Sequence, residues 1–233
     1  MKNLLTILIL LLFAQSGFGQ QNTQNDSVRN ETHIFWSDTY IIQIEDFKDT
    51  ITTIKSRGYC EKYNLCWGAF TGLFSIMDIP QKKRDKKVKE EIIYFAPAFE
   101  VNQSYRLTSD SMDYLKQVIV FDMYELAARK CRIELDSIYQ KIPAIGTKGL
   151  VFKSIESKIQ EELGNMVLLY TQEVYIMKEE GAFEKWRKLI DELLNQTEYY
   201  KTTAQDRLRF IKKEPIEIGY IEAKTVIGNL FKE

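Results

Sequence analysis

The 233-residue chain predicts an α+β fold, with an N-terminal strand-rich region packed against two to three long C-terminal helices. Between His33 and Val101 the apolar residues come in short runs of Ile, Thr, Tyr and Phe, divided by turn residues or charge. From Met112 onward they recur at helical spacing over much longer stretches. Only 11 Gly and 4 Pro interrupt the chain, and 45% hydrophobic with 28% charged residues is a globular composition with a buildable core.

The first nineteen residues predict a signal peptide: Lys2 is the basic start, Leu4 to Phe13 the apolar stretch, and Gly17-Phe18-Gly19 the small-residue cleavage site before Gln20. That stretch is far shorter than the ~20 residues that span a bilayer. No other segment is apolar enough to cross one, so the expectation is an exported chain, periplasmic or extracellular, with no membrane span. Residues 20–32 read as a flexible polar leader. The expected folded domain is residues 33–196, and 197–233 is a C-terminal tail with the option of docking. A net charge of −1 implies, in bulk, no nucleic-acid or membrane partner.

Within the strand-rich part the candidate strands are 34–36, 39–44, 50–56, 66–77 and 91–99. The basic run QKKRDKKVK, 81–89, reads as a solvated hairpin tip, with a polyanion contact as the sharper alternative. Helix caps cluster at 108–111, and an apolar stripe then runs from Leu115 to Ile142, where Pro143 stops it. A second helix carries Ile155 to Met177 and is broken by Gly181; a third carries Phe183, Trp186, Ile190 and Leu193. Residues 214–231 read as either a strand or a docked tail.

Three cysteines lie beyond the leader. Cys60 and Cys66 are the local candidate for a disulfide in an oxidising compartment, against the alternative that all three are small buried apolar residues. Cys131 falls on a buried helix face and is expected to be free. The cysteines and His33, the only histidine, match no zinc spacing.

One stretch of the first long helix stands out. Val118-Ile119-Val120-Phe121 makes the helix apolar all round, just after the polar pair Lys116 and Gln117. Directly after it, the string from Phe121 to Arg132 resembles a family of secreted bacterial domains of unknown function. In that family a helix carries a zinc-protease-like HEQxH followed at once by FDIxELxARKxR. Phe121, Asp122, Glu125, Leu126, Ala128, Arg129, Lys130 and Arg132 match the second half. Trp36 with IQIEDFKD, 42–49, resembles the family's opening. Tyr170 and Glu173, with Trp186 ten residues past Ile176, resemble its late YDxETxHG helix.

The resemblance implies a zincin-like fold and a vestigial pocket. Lys116 and Val120 stand where the family has its two histidines, Gln117 where it has its base, and Ile176 where it has a third histidine. Two imidazoles at i and i+4 hold zinc and the glutamate activates its water, which a cation, an aliphatic and a neutral amide cannot do. No catalytic residue, cofactor or metal ligand is therefore expected, while Phe121, Asp122, Glu125, Arg129, Glu173 and Trp186 are retained as scaffold. The plainer alternatives are that Val118 to Val120 are ordinary core, and that Asp122, Glu125, Arg129 and Arg132 pair along an exposed helix face.

The function expected is a non-catalytic, exported binding or structural module whose partner is an unknown protein or peptide. A rival is an enzyme using another site, but the chain has no GxSxG, no Gly-rich phosphate loop and no CxxC. A third class is a helical interaction protein. Exposure of Tyr170, Met177, Phe183 and Trp186 favours that class, and their burial against the first long helix favours the first.

Overall fold

The structure is a computed structural model, and it describes residues 27–48 and 54–224. The expected signal peptide and cleavage site lie outside the described residues. Antiparallel strands β1 (His33–Phe35), β4 (Ile92–Glu100), β3 (Thr71–Pro80) and β6 (Tyr220–Glu222) form one sheet in the order β1-β4-β3-β6. The register pairs Ile34 with Phe99, Ser75 with Phe95 and Ile79 with Ile221. A small second ladder joins β2 (Trp67–Gly68) to β5 (Tyr105–Arg106). Five helices complete the described residues: α1 (Ile54–Tyr63), α2 (Ser111–Lys141), α3 (Thr147–Thr171), α4 (Ala182–Gln196) and α5 (Ala204–Lys212). The chain is α+β, with strands first and helices second. Among the described residues no helix is long and apolar enough to cross a membrane.

Helix α2 starts where Asp110 accepts a hydrogen bond from the Met112 N–H at 2.8 Å, satisfying one of the donors a helix start leaves open. It crosses one face of the sheet. Ile119, Met123, Ala127, Cys131 and Leu135 bury their side chains against Leu73 and Phe95 of the sheet and against Ile155, Ile159 and Leu163 of α3. The other face of the sheet is covered by α5, whose Phe210 and Ile211 sit on Phe35, Ala96 and Ala98. Gly181, at a left-handed φ of 72°, starts α4, but the run from α3 ends earlier than the sequence predicts, at Ile176, with Lys178 turning the chain at a φ of 53°.

Several sequence expectations are corrected. Residues 39–44 are no strand: they are irregular and lead into a short 3-10 turn, Ile44–Asp46. The candidate strand at 50–56 runs instead into α1, and its first residues lie outside the described ones. Residues 27–32 are not a loose leader, since Phe35 N–H donates to Val28 O at 2.7 Å and Arg29 pairs with Asp46 at 3.2 Å. Helix α5 has no counterpart among the sequence expectations. The last segment, legible as either strand or docked tail, contributes the strand β6.

Cys60 and Cys66 form a disulfide that ties the end of α1 to the start of β2, and Cys131 is free and buried. Burial pushes the Cys131 thiol up to about 12, which keeps it an inert apolar residue.

Candidate functional site

The run Val118 to Phe121 is apolar all round because α2 is enclosed there on two sides. Ile119 and Val120 face the cluster shared with α3 and α4, while Val118 and Phe121 face an aromatic cluster built on Trp36, Phe47, Trp67 and Phe99. The plainer reading of those three residues as core is therefore sound as packing, whatever the helix descends from.

Gln117, at the position of the resembled base, is buried and has both ends of its amide engaged. Its Oε1 accepts the Ala69 N–H at 2.9 Å, and its Nε2 donates to the Tyr175 hydroxyl at 2.6 Å. Lys116 pairs with Asp113 at 3.2 Å and sits 5.4 Å from the centre of the Tyr175 ring. The Tyr170 hydroxyl donates to Lys116 O at 2.8 Å, which fastens the end of α3 to this stretch of α2. Burial pushes both tyrosine hydroxyls well above their usual range, so both stay neutral, Tyr170 donating to Lys116 O and Tyr175 accepting from Gln117.

Ile176 is not the residue that meets Lys116 and Gln117. After Thr171 the helix widens into a π-turn, Gln172–Ile176. The extra residue in that turn rotates the side chains beyond it about the helix axis. Tyr175 is thereby 3% exposed against α2, and Ile176 is 49% exposed. The structure brings together Lys116, Gln117 and Tyr175; Val120 lies in the apolar cluster and Ile176 faces outward. A cleft of about 290 Å³ opens beside them, lined in part by Lys116, Tyr175, Met112, Phe183 and Lys178. Among the described residues, no group of three or more His, Cys, Asp and Glu is placed to share a metal ion.

Asp122, Glu125, Arg129 and Arg132 enter polar networks with other elements rather than lining a solvated helix face, while Phe121 packs in the aromatic cluster. Glu125 is fully buried and accepts from Arg129 Nε at 2.7 Å, Thr202 N–H at 2.8 Å and the Thr202 hydroxyl at 2.6 Å. Burial pushes its carboxyl up, opposed by the charge of Arg132 and the hydrogen bonds from Thr202 and Arg129. Arg129, also buried, donates to Leu194 O at 2.6 Å and lies 5.2 Å from the Trp36 ring centre. Asp122 accepts from Trp36 Nε1 at 2.9 Å and from Arg187 at 2.7 Å. Arg132 donates to Tyr200 O at 2.9 Å and to Phe95 O. These carboxylates and guanidiniums hold α2 to Trp36 just past β1, to β4, to α4 and to the segment before α5.

Glu173 caps the other end. It accepts from Trp186 Nε1 at 2.7 Å and Lys185 at 3.2 Å, and these two donors hold its carboxyl below the usual range. A depressed folded-state pKa means a contribution present above the unfolded value of about 4.3 and lost as pH falls through the folded one. Trp186 fluorescence is therefore expected to titrate below that usual value. Glu173→Gln should abolish the step, and a step that survives the substitution would belong to another carboxylate.

Sequence reasoning missed Tyr175, Thr202, Arg187 and the buried pair Asp78–Arg209. The sequence signal that could have found the C-terminal helix is Thr203-x-x-Asp206, which the structure closes as a capping box with reciprocal bonds. No family model, curated protein or solved structure matches the chain.

Proposed function

We propose that the chain is a non-catalytic, zincin-like domain, exported and acting as a binding or structural module for a protein or peptide. The observation that carries this reading is Gln117. At the position of the resembled general base it is a neutral amide, buried, with its oxygen on a backbone N–H of β2's exit and its nitrogen on Tyr175. Such a side chain supports a wall; a neutral amide does not take a proton from an attacking water near neutral pH. Burial of Tyr170 and Trp186 against α2 supports this class over a helical docking surface, although Met177 is exposed. The cleft beside Lys116 and Tyr175 is the concave surface on which a peptide side chain would rest.

The test is metal analysis with a peptidase assay on purified protein. No stoichiometric zinc and no chelator-sensitive cleavage are expected. About one zinc per chain, lost to chelator together with activity, would overturn the reading. A companion variant, Lys116→His with Val120→His, puts two imidazoles one turn apart and should raise the melting temperature when zinc is added. Adding Tyr175→His should enlarge that rise more than adding Ile176→His, because Tyr175 is the residue that reaches α2. Equal effects would mean that the π-turn does not set the register.

Export has its own measurement. N-terminal sequencing of protein recovered outside the cytoplasm is expected to begin at Gln20 or Gln21. A cytoplasmic chain that still begins at Met1 would remove export from the proposal.

A further inference from the structure

The hairpin between β3 and β4 ends in a tip that neither the polar networks of α2 nor the cleft uses. Its residues Lys82, Lys83, Arg84, Lys86, Lys87 and Lys89 are all exposed around a short 3-10 turn, Asp85–Lys87. Asp85 is the one carboxylate within the run, and it reaches Arg84 at 3.3 Å and Lys89 at 4.0 Å. Lys82, Lys83, Lys86 and Lys87 have no ion pair among the described residues.

The next two carboxylates are turned away from the tip. Glu91 accepts from the N–H groups of Gly146 and Gly149, at 3.1 and 2.7 Å, where the chain enters α3. Glu90 is engaged by Lys148 and by the Tyr139 hydroxyl. Glu217, exposed beside Ile218, is a further carboxylate of this end and lowers the field without cancelling it, since the run alone carries six basic residues against Asp85.

Aliphatic side chains stand exposed at the same end. Val88 is in the run itself and is 74% exposed. Ile218 is 97% exposed, in the turn whose Gly219 O accepts the Gln81 N–H at 2.8 Å. Leu150 is 87% exposed, one residue past the Gly149 that Glu91 holds. The hairpin tip, the turn at Ile218 and the first turn of α3 thus present lysines and bare aliphatics at one end.

We propose that this end is a docking surface for a lipid bilayer carrying anionic headgroups, with the lysines against the headgroups and Val88, Leu150 and Ile218 entering the interface. Lysines are strongly hydrated point charges suited to a diffuse anionic surface, each adding attraction that fades within a Debye length. Exposed aliphatics gain by leaving water at that boundary. A nucleic-acid surface would instead call for aromatic stacking groups among the basic residues, and the run QKKRDKKVK contains none. This inference is independent of whether the α2 site is vestigial.

The test is co-sedimentation of the chain beginning at Gln20, which contains every described residue, with two kinds of vesicle. One is phosphatidylcholine with phosphatidylglycerol at about three parts in ten, and the other phosphatidylcholine alone. Binding to the first only, lost at about 0.5 M salt, is expected. Lys82→Gln/Lys83→Gln/Lys86→Gln/Lys87→Gln should lower the partition coefficient at least about tenfold without moving the melting temperature. Leu150→Ser/Ile218→Ser should lower it several-fold while leaving its salt dependence in place. Failure of the parent chain to sediment with anionic vesicles at low salt would overturn the proposal, as would a quadruple variant that binds like the parent. Single-stranded nucleic acid that displaces the chain from vesicles through the same lysines would overturn it in favour of a polynucleotide partner.

Discussion

Arg209→Met is expected to lower the free energy of unfolding by about 3–5 kcal/mol, among the largest single effects in the molecule. Arg209 and Asp78 are both fully buried, and their side chains meet twice, Nε to Oδ2 at 2.7 Å and Nη2 to Oδ1 at 2.8 Å. The same Nη2 reaches Glu222 at 2.9 Å, so one guanidinium clamps β3, β6 and α5. Methionine fills most of the volume but leaves the Asp78 carboxylate in an apolar layer with no cation. The cost is that of an uncompensated charge, not of a lost surface contact. Urea unfolding measures it, and the double variant Asp78→Leu/Arg209→Met should recover much of the loss because both charges then leave together. A single-variant loss below about 1 kcal/mol, typical of a solvated pair, would show that water reaches this site.

Glu125→Ala is expected to be comparably severe, about 3–5 kcal/mol. It removes the acceptor for Arg129 Nε and for both donors of Thr202, leaving three buried donors open and a buried cation whose remaining anion is the half-exposed Glu198. Thr202→Val removes only the hydroxyl donor and should cost about 1 kcal/mol. If the two substitutions cost the same, Arg129 finds a second anion in the variant; Glu198, 3.7 Å away and half exposed, is the one within reach. Hydrogen exchange at the Thr202 amide would separate the cases, because that N–H is buried only while Glu125 holds it.

The long elements were legible in sequence because their signals repeat. The stripe from Leu115 to Ile142 fixed α2, and the β-branched runs at 66–77 and 91–99 fixed the central hairpin. The failures have local causes. Ile51-Thr52-Thr53-Ile54 is β-branched and reads as strand, yet Ile54 opens α1, whose end a disulfide secures. The π-turn at Gln172–Ile176 shifts register by a single residue, and no periodicity over so short a span reveals it. Glu125 and Arg129 at i and i+4 look like an exposed helix pair. Their burial depends on Thr202 and Leu194, which the spacing within α2 cannot announce. The resemblance found the residues that matter for the polar networks, but it named Ile176 where Tyr175 does the contacting.

The clamps at Glu125 and Asp78 also set an order in time. Their partners Thr202 and Arg209 lie 77 and 131 residues further along the chain. A chain emerging N-terminus first therefore carries Asp78 long before Arg209 exists, whereas Glu125 has Arg129 on its own helix and waits only for the two donors of Thr202. Closing the sheet over Asp78 would bury a bare charge, so that step is unfavourable until residue 209 has been made. A single nine-residue helix and the residues leading into it then satisfy both sites together. Until they do, the central hairpin is held short of its final packing by one carboxylate.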